Sequence, residues 1–483
     1  MSGAASIGNE NLRTDLLIAG EWRQGSGEFE VHNPADNSVL AAVADASARD
    51  ALDALDAAHG AFESWAGTAP RTRAEVLRRA FDIMSDEVEM CARLIVLENG
   101  KSWADAMSEA VYAAEFFRWF SEEASRVAGD FRQAPNGDKT IIVTHEPVGV
   151  AYMITPWNFP AAMATRKLGP ALAAGCTAVL KPASQTPLTA LYIADVLQRA
   201  GVPDGVVNVI TTSQSGVVSA AVLADPRVAT LSFTGSTQIG KLLLEQTARR
   251  AITSSMELGG NAPLLVLEGA DVELAVDGAM TAKMRNGGSA CTAANRFYVH
   301  ESLAVEFSDL FEKALATLSI GPGMNRSNDL GSMVSVGERD KIARMLALAE
   351  TEGGRVSSVS RAPEQGAFIA PHIVRGVEHG HTLTRQEVFG PVAPIVVVEN
   401  TEQAIRMAND TEYGLMAYVF AKDDGEGIRV ARHISAGMVA VNRGTASDPA
   451  APFGGMKESG LGREGGFAGI HEYLESKYIA VAL

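Results

Sequence analysis

Between residues 149 and 267, short apolar runs alternate with amphipathic stretches of roughly 10–15 residues, and few folds accommodate that rhythm. Runs at 149–155, 177–180, 206–210, 228–233 and 256–267 read as strands, with helices expected between them, among them 161–174 and 187–200. Strands that are apolar on both faces and joined by helical crossovers make a parallel sheet covered on both sides. A second series follows, with helices expected at 271–285, 303–318, 402–409 and 425–434 and strands at 297–300, 394–399, 416–421 and 438–442. The expected architecture is two α/β layers in succession, with a boundary near 257–261. Two pieces belong to neither series. Residues 135–138 (Pro-Asn-Gly-Asp) read as a hairpin turn entering an alternating strand at 139–145, and 473–483 read as an extended, apolar-rich tail. Pairing with another subunit and packing on the chain itself are both open for them.

A chain of 483 residues has room for about three domains at roughly 150 residues each, and it needs no disulfide or metal to be stable. Lysine and arginine number 41 and the acidic residues 58, for a formal net charge of −17. Such a surface repels nucleic acid and anionic membrane, so neither is expected as a partner. An anionic small molecule then requires a pocket with locally concentrated arginine. Cys91, Cys176 and Cys291 lie far apart without a CxxC pair. That argues against a disulfide framework or a metal site and for a reducing compartment. The opening residues lack the basic-then-apolar order of a signal peptide. The longest near-apolar run, 168–180, is too short to span a bilayer. The expectation is a soluble, cytoplasmic protein.

Several segments suggest chemistry, each with a plainer alternative. Cys291 ends Asn286-Gly287-Gly288-Ser289-Ala290-Cys291, where glycines let backbone approach a ligand and peptide N–H groups can stabilise a thiolate. An ordinary thiol is only about 3% ionised at pH 7, so a nucleophile needs such help; the alternative is a buried structural cysteine, which suits Cys91 and Cys176. No histidine lies in a motif that would make a cysteine hydrolase. Glu257, in Met-Glu-Leu-Gly-Gly-Asn, places a carboxylate at the end of an apolar strand, as a base toward water or simply as a strand-end residue. Asn158, in Thr155-Pro-Trp-Asn-Phe-Pro160, offers amide hydrogens to an oxyanion or merely forms a turn. Residues 235–242 (GSTQIGKL) miss a Walker A loop because Leu242 has no hydroxyl for magnesium. What survives is a strand–glycine–helix junction suited to a pyrophosphate. No GxGxxG fingerprint is present.

Taken together, TPWNFP (155–160), KPASQTP (181–187), FTGST (233–237), MELGGNAP (256–263), the Cys291 loop, EVFGP (387–391) and PFGGMKESGLGREGG (452–466) resemble the aldehyde dehydrogenase superfamily over essentially the whole chain. Within it, WNFPAAMATRKLGPALAAGC, FTGSTQIGK and APFGGMKESGLGREG most resemble the bacterial succinate-semialdehyde dehydrogenase branch. The resemblance implies an α/β fold of two Rossmann-like parallel-sheet domains and a small β oligomerisation element. It divides the chain into an NAD(P)-binding domain (1–128 and 149–256), a catalytic domain (257–441, with 442–469 returning) and an oligomerisation element (129–148 and 470–483). A homodimer or homotetramer is implied.

The same resemblance implies the chemistry. Cys291 attacks the aldehyde to give a thiohemiacetal, Asn158 and the Cys291 N–H hold the oxyanion, and Glu257 activates water against the thioester. Relatives that release acyl-CoA generally lack this glutamate, so a free acid is the implied product. Lys181 and Ser184 fall at the adenosine ribose. Ser184 stands where NAD-preferring members carry glutamate, so NADP is expected to be accepted alongside NAD, and its preference is open. Glu387 and Phe389 fall at the nicotinamide ribose and ring, with Thr155, Trp157, Phe233, Gly235, Ser236, Leu258 and Gly259 lining the rest. Arg166, Arg285 and Ser447 match contacts to a distal carboxylate, which a guanidinium pair grips in a bidentate way. Glutarate semialdehyde, a sulfonated aldehyde and an aromatic aldehyde stay open as substrates, and a catalytically silent binding relative is a minor alternative that intact Cys291, Glu257 and Asn158 oppose. Two departures matter. Ser289 replaces the usual Gln or Glu, which would loosen the loop or widen the pocket, and Ala293 replaces a second cysteine that in some relatives forms a reversible disulfide.

Overall fold

The computed structural model describes residues 4–7 and 10–482. The extreme start of the segment read for a leader and Leu483 of the expected tail lie outside the described residues. Among the described residues, eight strands form the first sheet, in the order Gly460–Leu461, Thr253–Glu257, Val228–Thr234, Val150–Ile154, Thr177–Lys181, Val207–Val209, Leu16–Ile18, Glu21–Arg23. Its five central strands are parallel, as the apolar runs require, and the two flanks are antiparallel additions that the periodicity does not reveal. The second sheet has seven strands, in the order Arg355–Ser358, His372–Arg375, Val392–Val398, Ala294–His300, Ala262–Val266, Met416–Phe420, Met438–Val441. All its pairings are parallel except that of Arg355–Ser358.

The apolar run 256–267 is not one strand. It breaks at Leu258–Asn261, and the chain leaves the first sheet after Glu257 to enter the second at Ala262. Two consecutive glycines, 259 and 260, sit at that break, where a continuous strand would place side chains against its neighbours. The expected helix at 161–174 is Pro160–Ala174, opened by a proline in its first turn and closed by Gly175 at φ +100°. All fifteen of its residues are buried, so it threads the core rather than covering a face. Residues before 128, for which no elements are expected from the pattern, supply four long helices. The last, Trp103–Glu123, is capped by the Ser102 side chain on the Asp105 N–H and packs Phe116, Phe117 and Phe120 inward. No helix of the described residues is long and apolar enough to cross a membrane.

The hairpin and tail meet within the same chain. Lys139–Pro147 pairs with Asp130–Gln133 on one side and, antiparallel along nine positions, with Leu474–Ala482 on the other. The tail's side chains stay exposed, among them Tyr478, Ile479 and Val481. Deleting 474–483 would strip the long strand of one partner and leave an open edge. We expect that truncation to aggregate at a lower temperature than the full chain in a light-scattering melt; equal aggregation temperatures would show that the ladder is dispensable.

Candidate active site

The parallel strands of the first sheet all end toward one crevice, where ligands of open α/β sheets collect. Ile154 leads into the 155–159 turn, Thr234 into Gly235-Ser236, and Glu257 into Leu258-Gly259. The second sheet presents its strand beginnings to the same place: Cys291 stands just before Ala294–His300, and Glu387–Pro391 just before Val392–Val398. Two cavities open there. One of about 180 Å³ is walled by Trp157, Asn158, Gly235, Ser236, Leu258, Gly259, Glu387 and Phe389, and the other, of about 300 Å³, by Arg166, Arg285, Ser447 and others. Cys291 and Met163 border both.

The loop that carries Cys291 is held by polar bonds on every side. Asn286 and Gly287 adopt left-handed backbone at φ +53° and +56°. The strain at Asn286 is met by its own amide, which donates to the carbonyls of Asn158 (2.8 Å) and Ser289 (3.0 Å), while its N–H donates to Asp105 at 2.9 Å. Asn158 donates from Nδ2 to the Ser289 carbonyl at 3.1 Å, and its own carbonyl also accepts from Lys101 at 2.8 Å. Lys101 is fully buried and paired with Glu109 at 2.5 Å; the other oxygen of Glu109 accepts from the N–H groups of Ala161 and Ala162 at the start of the core helix. Ser289 lines neither cavity. It is buried, its carbonyl is doubly bonded, and its hydroxyl reaches the Phe389 carbonyl at 3.4 Å.

Electrostatics differ from the expectation of a ready thiolate. Burial pushes the Cys291 thiol up to about 12, with Arg166 opposing and Glu257 adding to the rise. Glu257 is also held well above the usual carboxylate range, chiefly by burial and next by Glu464, with Arg166 and Lys167 opposing. Neither carboxyl oxygen of Glu257 has a hydrogen-bond partner among the described residues, and the residue borders neither cavity. Glu387 accepts from the Gly260 N–H at 3.1 Å and is raised to about 7, mainly by burial.

In the second cavity Arg166 is buried, 2.5 Å from the Glu464 carboxylate and stacked over Phe453 at 4.1 Å. Arg285 donates to Thr292 Oγ1 at 3.2 Å and lies over Phe159. Thr155, Lys181, Ser184 and Phe233 border neither cavity. Phe233 lies under Gly235, where any Cβ would strike its ring, and the Thr155 N–H donates to the Lys181 carbonyl. Lys181 bonds only the Pro182 carbonyl and the Ser215 hydroxyl, with no carboxylate within ion-pair distance among the described residues. Sequence reasoning misses Glu338 and Lys341, which line the first cavity from the Val336–Thr351 helix, and Tyr112, Phe159 and Phe453 in the second. On an amphipathic helix the former look like surface charges, and the latter look like core. Cys91 and Cys176 are buried in the hydrophobic core and border neither cavity.

Comparison with known proteins agrees with this geometry. Residues 22–479 match the aldehyde dehydrogenase family. A succinate-semialdehyde dehydrogenase of Paenarthrobacter nicotinovorans is 49% identical, covering 92% of this chain and 99% of its own length. A glutarate-semialdehyde dehydrogenase of Pseudomonas aeruginosa is 42% identical, covering 97% and 98%. Among solved structures, an NADP-dependent enzyme of E. coli superposes with a TM-score of 0.96 at 43% identity, covering 98% of both chains. With its two largely parallel sheets and a cysteine at the junction of two cavities, the chain belongs to the aldehyde dehydrogenase family.

Proposed function

We propose that this enzyme oxidises succinate semialdehyde, or a similar short anionic semialdehyde, to the free acid with NADP or NAD. The observation that carries this reading is the placement of Cys291 between a cavity walled by flat aromatic side chains and a cavity holding two arginines. Trp157 and Phe389 meet edge to face at 5.3 Å, and Glu387 stands beside them. A cofactor fits the residues present. Gly235 and the Ser236-capped helix Thr237–Ala248 leave backbone open to a pyrophosphate, and Lys181 is a buried cation without an anion of its own. Lys181 and Ser184 would hold the adenosine ribose phosphate, and a bound nicotinamide supplies a hydride acceptor.

The chain's own groups do the rest. Cys291 Sγ, on losing its proton to solvent, adds to the aldehyde carbonyl, and Asn158 Nδ2 with the Cys291 N–H steadies the oxyanion, each such donor being worth about 3 kcal/mol. Arg166, Arg285 and Ser447 hold the far carboxylate and so fix the distance from charge to carbonyl. Glu257 then takes a proton from the water that cleaves the thioester. It reaches that water only by turning out of its buried position, which also lowers its proton affinity. We assign residues 1–128 and 149–256 to cofactor binding, 257–441 with 442–469 to catalysis, and 129–148 with 470–483 to assembly of a cytoplasmic homodimer or homotetramer. The exposed apolar side chains of the three-stranded sheet support that last role.

A kcat/KM panel of succinate, glutarate, sulfonated and neutral aldehydes with both cofactors tests the substrate reading. Arg285→Ala should cost at least tenfold more activity toward succinate semialdehyde than toward butanal, roughly the loss of one charge-assisted contact; equal losses would overturn it. Ser184→Glu should raise KM for NADP about tenfold or more through like-charge repulsion, with NAD little changed. The raised thiol sets a pH dependence. Its neutral form dominates below the shifted value, so the alkylation rate of the free enzyme by iodoacetamide should climb about tenfold per pH unit from 7 to 9. A plateau in that range would show a stabilised thiolate instead.

A further inference from the structure

Resting on the substrate reading above, we propose that the Tyr112 hydroxyl is a fourth donor to the substrate's distal carboxylate, beside Arg166, Arg285 and Ser447, and a determinant of preference for anionic over neutral aldehydes. Tyr112 lies on the Trp103–Glu123 helix and lines the cavity that holds Arg166, Arg285 and Ser447. Its ring meets Phe116 edge to face at 4.8 Å, which fixes the direction of the hydroxyl. That hydroxyl is buried; Arg166 can donate to its oxygen, while its own proton has no acceptor among the described residues.

Its neighbours explain why. Arg166 and Arg285 both act on it, and a guanidinium carries donors only, so neither can take the phenolic proton. The carboxylates on the same cavity wall are committed elsewhere. Glu109 receives Lys101 on one oxygen and the Ala161 and Ala162 N–H groups on the other, and Asp105 receives the Asn286 N–H. Glu464 does not line this cavity and is held by Arg166 and Lys167 at 2.5 Å each. A buried O–H without an acceptor is costly. Here the missing acceptor coincides with a cavity flanked by two cations, and a carboxylate is the group that completes both. The added contact gives direction to what the arginines supply as charge.

The test is Tyr112→Phe, which keeps the ring and its packing. For succinate semialdehyde kcat/KM should fall on the order of 10- to 100-fold, the range of one hydrogen bond to a charged group, mostly through KM. For butanal it should stay within about twofold. The melting temperature should hold or rise, because an unsatisfied buried hydroxyl is removed. Inhibition of butanal oxidation by succinate gives an independent readout, with Ki rising by the same factor as KM. Equal losses on both aldehydes, or no loss on succinate semialdehyde, would overturn the proposal. Measured beside Arg285→Ala, the outcomes separate. Discrimination by Arg285→Ala alone removes Tyr112 and leaves the anion reading standing, whereas discrimination by neither removes both.

Discussion

Gly260 lies so close beneath Cys291 that a Cβ there would run into the cysteine's carbonyl oxygen. The rest of the structure depends on that approach. It lets the chain cross from one sheet to the other within four residues, so that the strand ends of the first sheet face the strand beginnings of the second across a single crevice. Glu387 accepts from the Gly260 N–H and ties the third wall to the same point. A side chain at Gly260 would part the two sheets at the place where the reacting sulfur has to stand between two binding spaces.

Charge inside the crevice runs opposite to charge outside. The chain carries a net −17, yet Lys101, Arg166, Lys167 and Arg285 converge near the second cavity. Burying a cation is costly unless it is paired, and two glutamates from distant parts of the chain pair three of these four. Glu109 neutralises Lys101, and Glu464 is shared by Arg166 and Lys167. Each carboxylate also fixes geometry, since Glu109 bonds the first N–H groups of the core helix that carries Arg166. An acidic protein thereby keeps a cationic pocket for a small anion without attracting polyanions to its surface.

Much of this was legible in the sequence, for physical reasons. The parallel strands are buried on both faces, so their residues form uninterrupted apolar runs such as Val150–Ile154 and Thr177–Lys181. Glycine-rich segments mark the crevice because backbone has to pass close to something there, as at Gly235 over Phe233. What escaped is equally explicable. The pattern puts the layer boundary near 257–261, yet 256–267 still reads as one strand, because two apolar stretches meet there and their break leaves no periodic trace. The Gly460–Leu461 strand is too short for any pattern. Glu257 stands at a strand end as expected, but its raised proton affinity comes from burial and then from Glu464, some two hundred residues on. Tyr112 occupies a helical position indistinguishable from core.

The three sulfurs of the chain face unequal fates. Cys91 and Cys176 are sealed in the core, while Cys291 is half-buried, and alanine follows two positions after it. Peroxide that reaches the crevice would convert this thiol to a sulfenic acid with no neighbouring cysteine to resolve it. Unless a small thiol such as glutathione intercepts that species, the next oxidant carries it to the sulfinic state, from which there is generally no return. In such a molecule the catalytic sulfur is also its oxidative fuse.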